Sequence, residues 1–307
     1  KKKKKKKKGG GSESAHIRQK VWEAFKYDLQ GGKEDWFAQF SKLSLLRALC
    51  LKLGLRLRAR EYQFDAETPF APSDVMDLYP IVSHVVPKCR TPQAVMENGI
   101  MSLQMGHFEM AFNSLNAALG MYHQIMGPMN KEVANCFSYI GNIMFYAGDA
   151  EQALLHHHKA LLISRRVFGL DHPMTSHVHQ YMGLICNSLG RHDMALEHFR
   201  RAHYLMQLVS GFHHPDACIS LANVGMMHQE LGNHAEAIKA LKDALMHNEI
   251  SLGASHPQFA QQSLACYYAI SVSLSQLGDF KEAVAYQKKV YDAHRANAGP
   301  DDPNTTE

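Results

Sequence analysis

Residues 169–210 read GLDHPMTSHVHQYMGLICNSLGRHDMALEHFRRAHYLMQLVS and form one copy of a unit that returns every 42 residues. The dipeptide His-Pro recurs at this interval, ending in Pro173, Pro215 and Pro257. Three glycine series share the interval, and they are Gly99, Gly141, Gly183, Gly225; Gly106, Gly148, Gly190, Gly232; and Gly127, Gly169, Gly211, Gly253. A fixed period of this size is typical of stacked helical units, which present a long binding surface.

Each unit predicts two antiparallel helices. The first helix opens after a Gly-x-x-His-Pro turn, where proline suits the first helical turn and Asp171 or Ser255 is expected to cap free amides. A second turn glycine, such as Gly190, ends that helix. The turn spacing leaves room for helices of about 16–18 residues. In the fifth unit the first helix is predicted to be longer, because Pro257 to Gly278 spans 21 residues where the preceding unit has 17.

Small residues recur where two helices must approach closely. Gly183 is followed twelve residues later by Ala195, and seven residues after that by Ala202. A larger side chain at such a crossing overpacks it, so both alanines are expected to be buried. This frame, with Phe199 three residues before Ala202, resembles the tetratricopeptide pattern. It occurs four times intact and once more loosely, with Ser271, Ala283 and Val290. The predicted fold is an all-α tetratricopeptide-repeat superhelix of about five helix pairs, preceded by a small mixed α/β segment.

The part of the chain before the repeats has a different organisation. Leu43 to Leu53 has apolar residues at helical spacing and ends at Gly54, and residues 55–60 alternate with the period of a strand. The predicted divisions are a disordered Lys/Gly tail (1–15), a non-repeat segment that is the tail of an upstream region (16–90), the repeats (91–299) and a disordered tail (300–307).

Composition and motifs exclude several classes of protein. Eight lysines at positions 1–8 account for the formal charge of +4, since the other residues hold 25 basic against 29 acidic side chains. Six scattered cysteines without a C-x-x-C pair are expected to be reduced core thiols. No phosphate loop, nucleophile elbow or His-Glu-x-x-His motif occurs. The histidines, including the run at 156–158, lack metal-ligand spacing and are predicted to be packed or solvated. We therefore expect a non-enzymatic protein without a cofactor or metal.

Two sets of residues are candidate contacts. The first helices should line a groove that binds an extended peptide through uncharged amides and apolar side chains, and its candidates are Asn142, Phe145, Gln180, Asn187, Asn223, Met226 and Gln229. The alternative is a groove filled by another part of a longer protein. A second, basic set is the candidate for phosphate contacts to RNA, and it consists of Arg47, Lys52, Arg56, Arg58 and Arg60. Its alternative is the charged face of an edge strand, and Lys1–Lys8 is a second possible RNA contact.

The chain resembles the clustered mitochondria family. The resemblance lies in Ser44 to Arg47, Arg60-Glu61-Tyr62 and Arg201 to Met206, the last followed by His214-Pro215. It implies a cytoplasmic protein that binds mRNAs of nuclear-encoded mitochondrial proteins, keeps mitochondria distributed, and has a further domain N-terminal to this region. The repeats are also similar to those of kinesin light chains, which implies a cargo adaptor that binds peptides and no RNA. Those proteins have an upstream heptad coiled coil, and no heptads occur in this sequence.

Overall fold

The structure, a computed structural model, describes residues 42–64, 66, 68–81, 89–253 and 257–298. Within these ranges the chain forms eleven α-helices and two short β-strands. Several predictions fall outside the described residues, namely the tails at 1–15 and 300–307, the lysines at 1–8, and the turn residues Ser255 and His256.

The N-terminal segment contains one helix and a small sheet. Helix α1 (Lys42–Leu53) ends at Gly54, whose φ of 66° is accessible to glycine at little cost. Strands β1 (Leu55–Leu57) and β2 (Val75–Leu78) pair antiparallel, with Leu55 opposite Leu78. The predicted helix is confirmed, but the strand is shorter than residues 55–60. Its register shifts after Arg56, and a 3-10 turn (Pro72–Asp74) precedes β2, so the ladder ends at Leu57.

Five helix pairs follow, as predicted. They are α2 (Arg90–Gln104) with α3 (Phe108–Met126), α4 (Lys131–Tyr146) with α5 (Ala150–Val167), α6 (Pro173–Ser188) with α7 (His192–Ser210), α8 (Pro215–Glu230) with α9 (His234–Leu252), and α10 (Pro257–Gln276) with α11 (Phe280–Ala298). Each second helix also packs against the first helix of the next pair. The extra turn predicted for the fifth unit is present, since α10 has 20 residues and α8 has 16.

Glycine ends the first helix of each full unit in the predicted way. Gly190 has a φ of 71°, and its N–H donates to the carbonyl of Asn187 at 2.9 Å. The N–H of Arg191 donates to the carbonyl of Cys186, also at 2.9 Å. These bonds satisfy carbonyls at the helix end that have no partner within the helix.

The turn histidines cap the helices that follow them. His172 Nδ1 accepts the N–H of Met174 at 3.1 Å, and His214 Nδ1 accepts the N–H of Asp216 at 3.2 Å. The expectation that Asp171 caps α6 was wrong, because its carboxylate pairs with Arg47 instead. The extended backbone of each histidine before its proline places the ring over the free amides. Both histidines are therefore structural turn residues, as predicted.

The small residues lie where the two helices of a unit cross. Ala195 and Ala202 have no exposed surface, which confirms the predicted burial. A Cβ added to Gly183 would lie 2.7 Å from the ring of Phe199, so this glycine makes room for that ring. Equivalent pairs occur in the other intact units, and they are Gly99 with Leu115, Gly141 with His157, and Gly225 with Leu241. One unit therefore has a histidine in a core position that is otherwise apolar.

Helix α1 contacts the third of the five helix pairs. The hydroxyl of Ser44 donates to the carbonyl of Leu208 on α7 at 3.3 Å, and Arg47 forms an ion pair with Asp171 in the turn before α6. No side chain of α1 is buried. The N-terminal segment is thus positioned on the third unit by polar contacts.

Candidate functional site

The inner surface of the stack is built by the first helices. Consecutive first helices contact each other at α2 and α4, at α4 and α6, and at α8 and α10. Such contacts are expected on the inner, concave side of a superhelix. The predicted groove residues all lie on α4, α6 and α8, so they belong to this inner layer.

One pocket of about 450 Å³ lies at the N-terminal end of this surface. Asn142 lines it together with three tyrosines, Tyr139, Tyr146 and Tyr181. Phe108 stacks on Tyr146 with ring centroids 6.3 Å apart, and the rings of Phe145 and Tyr146 are 5.8 Å apart. These tyrosines were not among the groove residues predicted from the sequence. A signal was present, because Tyr139 and Tyr181 occupy the slot two residues before the small residue, which Asn223 occupies in α8.

The side-chain amide of Asn142 forms a hydrogen bond within the protein core. Its side chain is buried, and Oδ1 lies 3.1 Å from Nε2 of His157, which donates to it. His157 has no exposed surface, and its ring stacks on Tyr181 at 5.4 Å. Burial lowers the pKa of His157 to about 4, with a smaller effect from the neighbouring His156, so the ring is neutral at pH 7. The carbonyl of the Asn142 amide therefore already accepts a hydrogen bond from the core, and a ligand would have to share or replace it.

Two further candidate amides also have partners within the stack. Gln180 Oε1 accepts from the hydroxyl of Ser220 at 3.5 Å, which links α6 to α8. Asn187 Oδ1 lies 3.0 Å from Nδ1 of His192, the first residue of α7. Both side chains are half-buried. Ligand contact by either one would have to share or replace these bonds.

Asn223 and Met226 lie together at a second, smaller pocket. Its volume is about 130 Å³, and its walls come from α8, α9 and α10. At its base Asn248 is buried, donates from Nδ2 to Gln262 Oε1 at 2.8 Å, and leaves its own Oδ1 without a partner among the described residues. The amide of Asn223 has no hydrogen bond within the described part of the chain, and neither has that of Gln229. This end of the groove has free amides beside an apolar cavity.

The basic candidates do not form one surface. The guanidinium of Arg60 donates to the carboxylate of Asp74, with Nε–Oδ1 and Nη2–Oδ2 distances of 2.8 and 2.6 Å, and it lies over the ring of Tyr62. This bond, helped by the N–H of Ala71, lowers the pKa of Asp74 to about 2. Arg47 is held by Asp171. The other three side chains are exposed, and they are Lys52, Arg56 and Arg58. Only Arg56 lies in β1, so the shared strand face predicted for Arg56, Arg58 and Arg60 does not form.

The thiols and the histidines show no metal chemistry in the described ranges. All six cysteines are free, and burial raises the pKa of Cys136 and of Cys218 to about 12, which keeps both protonated. Among the described residues, no group of three His, Cys, Asp or Glu side chains is placed to hold a metal ion. No helix in the same ranges is long and apolar enough to cross a membrane.

Paired helices packed around glycine and alanine at a 42-residue period define a tetratricopeptide-repeat protein. A family model described as "Tetratricopeptide repeat" matches residues 132–203 and 179–246, and a second one with the same description matches residues 263–304. Two solved structures share the fold. One is described as a kinesin light chain of Podosopora anserina (TM-score 0.57, 14% identity, 68% of this chain and 97% of that one). The other is BtubC of P. vanneervenii (TM-score 0.60, 15% identity, 67% and 81%).

The sequence relatives are more specific. The Clustered mitochondria protein of Arabidopsis thaliana is 41% identical over 136 residues, which cover 44% of this chain and 10% of that protein. The Protein clueless of Drosophila ananassae is 32% identical over 136 residues, covering 44% and 9%. A stretch of 136 residues of this chain is therefore similar in sequence to proteins of the clustered mitochondria family. The chain spans about a tenth of the length of these relatives.

A separate family model matches the N-terminal segment. It is described as "Translation initiation factor eIF3 subunit 135" and covers residues 2–64. The match ends just after β1 and includes α1. The two kinds of family model thus match different parts of the chain.

Proposed function

We propose that this chain is a non-enzymatic, cytoplasmic scaffold of the clustered mitochondria family, which acts in mitochondrial distribution by binding protein segments and mRNA. The names of the sequence relatives and the tetratricopeptide fold support this proposal. The observation that carries it is the end of the groove at Asn223 and Met226, where unpaired amides adjoin an apolar pocket.

This end of the groove suits an extended peptide. An amide donates and accepts at once, as the backbone of a bound strand requires, and Asn223 has both functions free in the described structure. The neighbouring cavity is lined mainly by apolar atoms from residues such as Ala222, Leu245 and Ala265, so it accepts one apolar side chain of the ligand. Met226 can repack around different side chains. Among the residues that the structure describes, no lysine or arginine lines this pocket.

We expect Asn223→Ala to weaken peptide binding by about 1–3 kcal/mol, because the backbone groups of the peptide lose a partner while remaining buried. Peptide ligands would be obtained by placing a photo-crosslinking residue at Gln229 in the full chain and identifying the attached segments. Synthetic peptides would then be titrated calorimetrically against wild type and Asn223→Ala, at low and high salt. Affinity should depend only weakly on salt, since few charge pairs are screened.

The matched control for this titration is Asn233→Ala. Asn233 is an exposed asparagine in the next turn, and its side chain makes no capping hydrogen bond. Its replacement should leave the peptide affinity unchanged. Equal affinities for wild type and Asn223→Ala would show that Asn223 is outside the site. A collapse of binding at high salt would show that charge holds the peptide.

The mRNA part of the proposal rests on the exposed basic side chains of the N-terminal segment. Arg56→Gln with Arg58→Gln should reduce the amount of RNA crosslinked to the chain in cells, because two phosphate contacts are lost. Lys281→Gln with Lys288→Gln removes the same charge from exposed positions on α11 and should leave the yield unchanged. Equal yields from wild type and the arginine variant would reject these contacts. Sequencing the recovered RNA tests whether it encodes mitochondrial proteins.

The alternative function is a kinesin-light-chain-like cargo adaptor, which would use the same groove and bind no RNA. The solved structures that share the fold are below 20% identical to this chain, so they bear on architecture alone. The sequence relatives favour the clustered mitochondria assignment. The crosslinking experiment separates the two functions, since an adaptor would give RNA yields at background for every variant.

A further inference from the structure

A basic cleft of about 500 Å³ lies on helices α5, α6 and α7, away from the groove residues. Its positive charge comes from three arginines, and these are Arg165, Arg200 and Arg201. Two histidines, His179 and His198, also line the cleft. Among the described residues, Glu197 is the single acidic residue in the lining. Leu170 and Tyr204 supply an apolar rim. The cleft is positively charged, although acidic residues outnumber basic ones in the chain after Lys1–Lys8.

The arginines of this cleft have no carboxylate partners. Arg165 and Arg201 are exposed, and neither forms an ion pair within the described part of the chain. Arg201 lies 5.8 Å from the centre of the Tyr204 ring, and Arg200 Nη2 lies 3.0 Å from His228 Nε2. Three guanidinium charges line the cleft with one carboxylate, that of Glu197, so the cleft has a net positive charge and an anion placed there stabilises it.

Arginine occupies all three of these positions in one unit only. One unit earlier the equivalents of Arg165, Arg200 and Arg201 are His123, His158 and Lys159, and one unit later they are Gln207, Lys242 and Asp243. The core positions of the repeat keep their small or apolar character over the same interval. The arginines are therefore not part of the pattern that specifies the fold, and their convergence calls for another role.

Two histidines form the inner part of the cleft. Nδ1 of His179 lies 3.1 Å from Nδ1 of His198, so one ring donates and the other accepts. Burial lowers the pKa of His179 to about 4, and His198, Arg201 and Arg165 add to this effect. Burial also lowers the pKa of His198, so both rings are uncharged at pH 7. The ring that accepts at Nδ1 has its proton on Nε2, and this N–H can donate to a bound anion.

We propose that this cleft binds the phosphate group of a phosphorylated serine or threonine on a partner protein. The guanidinium fork matches phosphate geometry, and arginine clusters are the usual receptors of phosphorylated side chains. The cations come from two helices and face one cleft, which suits one phosphate rather than a row of them. A single nucleic-acid strand would need aromatic faces for stacking, and the Tyr204 face already carries Arg201. Leu170 and Tyr204 can contact the residues flanking the phosphate. The site lies on other helix faces than the groove and is independent of the function proposed for it.

The test uses the full chain, with inorganic phosphate and an oriented phosphoserine/phosphothreonine peptide library as probes. Phosphate should shift the ring resonances of His179 and His198, and the library should yield sequences whose binding is lost without the phosphate. Arg165→Gln with Arg201→Gln should weaken binding of a selected phosphopeptide at least about tenfold, since hydrogen bonds to charged groups are lost. The matched control is Arg166→Gln, because Arg166 is an exposed neighbour that does not line the cleft. It should bind like wild type.

Four outcomes would overturn the proposal. Unshifted histidine resonances together with an unselective library would show that no phosphate site exists. Equal weakening by Arg166→Gln would show a general charge effect. Tighter binding of a single-stranded oligonucleotide than of any phosphopeptide, lost in the double variant, would assign the cleft to nucleic acid. Shifts with inorganic phosphate but no phosphate-dependent peptide would assign it to a free anion. Thermal unfolding of each variant checks that these exposed substitutions leave the fold intact.

Discussion

Phe199→Ala should lower the free energy of unfolding by about 3–5 kcal/mol, because removing the ring leaves a cavity in the core that the surrounding helices fill only in part. The ring is 1% exposed and fills the space that Gly183 leaves open. It belongs to a cluster with Cys186 of its own unit and with Val224 and Met227 of the next one. In a linear stack such a residue couples neighbouring units, so its loss weakens the contact between them as well.

The measurement is chemical unfolding followed by circular dichroism at 222 nm. The matched control is Phe212→Ala in the following turn, where the ring is 59% exposed, and its effect should stay within about 0.5 kcal/mol. Losses of similar size in the two variants would show that Phe199 does not hold the units together.

The second expected result is a loss of stability in mild acid to which His157 contributes. In the folded chain its pKa is about 4, against an ordinary value of 6.5 in the unfolded chain. Between these two pH values the unfolded state binds more protons, so stability falls as the pH is lowered from about 6.5 to about 4. Below about 4 both states are protonated and the loss is complete. The pKa difference corresponds to roughly 3 kcal/mol. His179, whose pKa is also about 4, acts in the same direction.

The chain offers its own control for this effect. The first unit has Ile100 and Leu115 at the positions of Asn142 and His157. Asn142→Ile with His157→Leu transplants this apolar pair and removes both members of the buried hydrogen bond, so no partner is left unsatisfied between them. The double variant should match wild type at pH 7 and lose less stability at pH 5. Unfolding curves at both pH values measure this, and parallel losses in the two proteins would place the acid sensitivity elsewhere.

The contacts between units could have been anticipated in part. Residues 40 apart face each other on neighbouring units, as in the ion pairs Glu151–Arg191 at 2.6 Å and Lys242–Glu282 at 2.8 Å. The bond from Ser220 to Gln180 has the same spacing. Once the period is known, this offset predicts the neighbours of a given surface position. The same offset could not predict the hydrogen-bond partners of two other groove amides. Asn142 and Asn187 are bonded to histidines at other offsets.

The sequence by itself determined the repeat, the helix pairs, their turns and the burial of the alanines. These features are local or periodic: a glycine at positive φ, a proline in a first turn, and a small residue at a crossing each act through their nearest neighbours. The tertiary structure alone decided which variable side chains meet. The bond from His157 to Asn142, the docking of α1 on α7, and the convergence of Arg165 and Arg201 on one cleft each join residues from different helices. Since the residue types at these positions do not repeat, their proximity follows only from how the stacked helices are rotated and spaced.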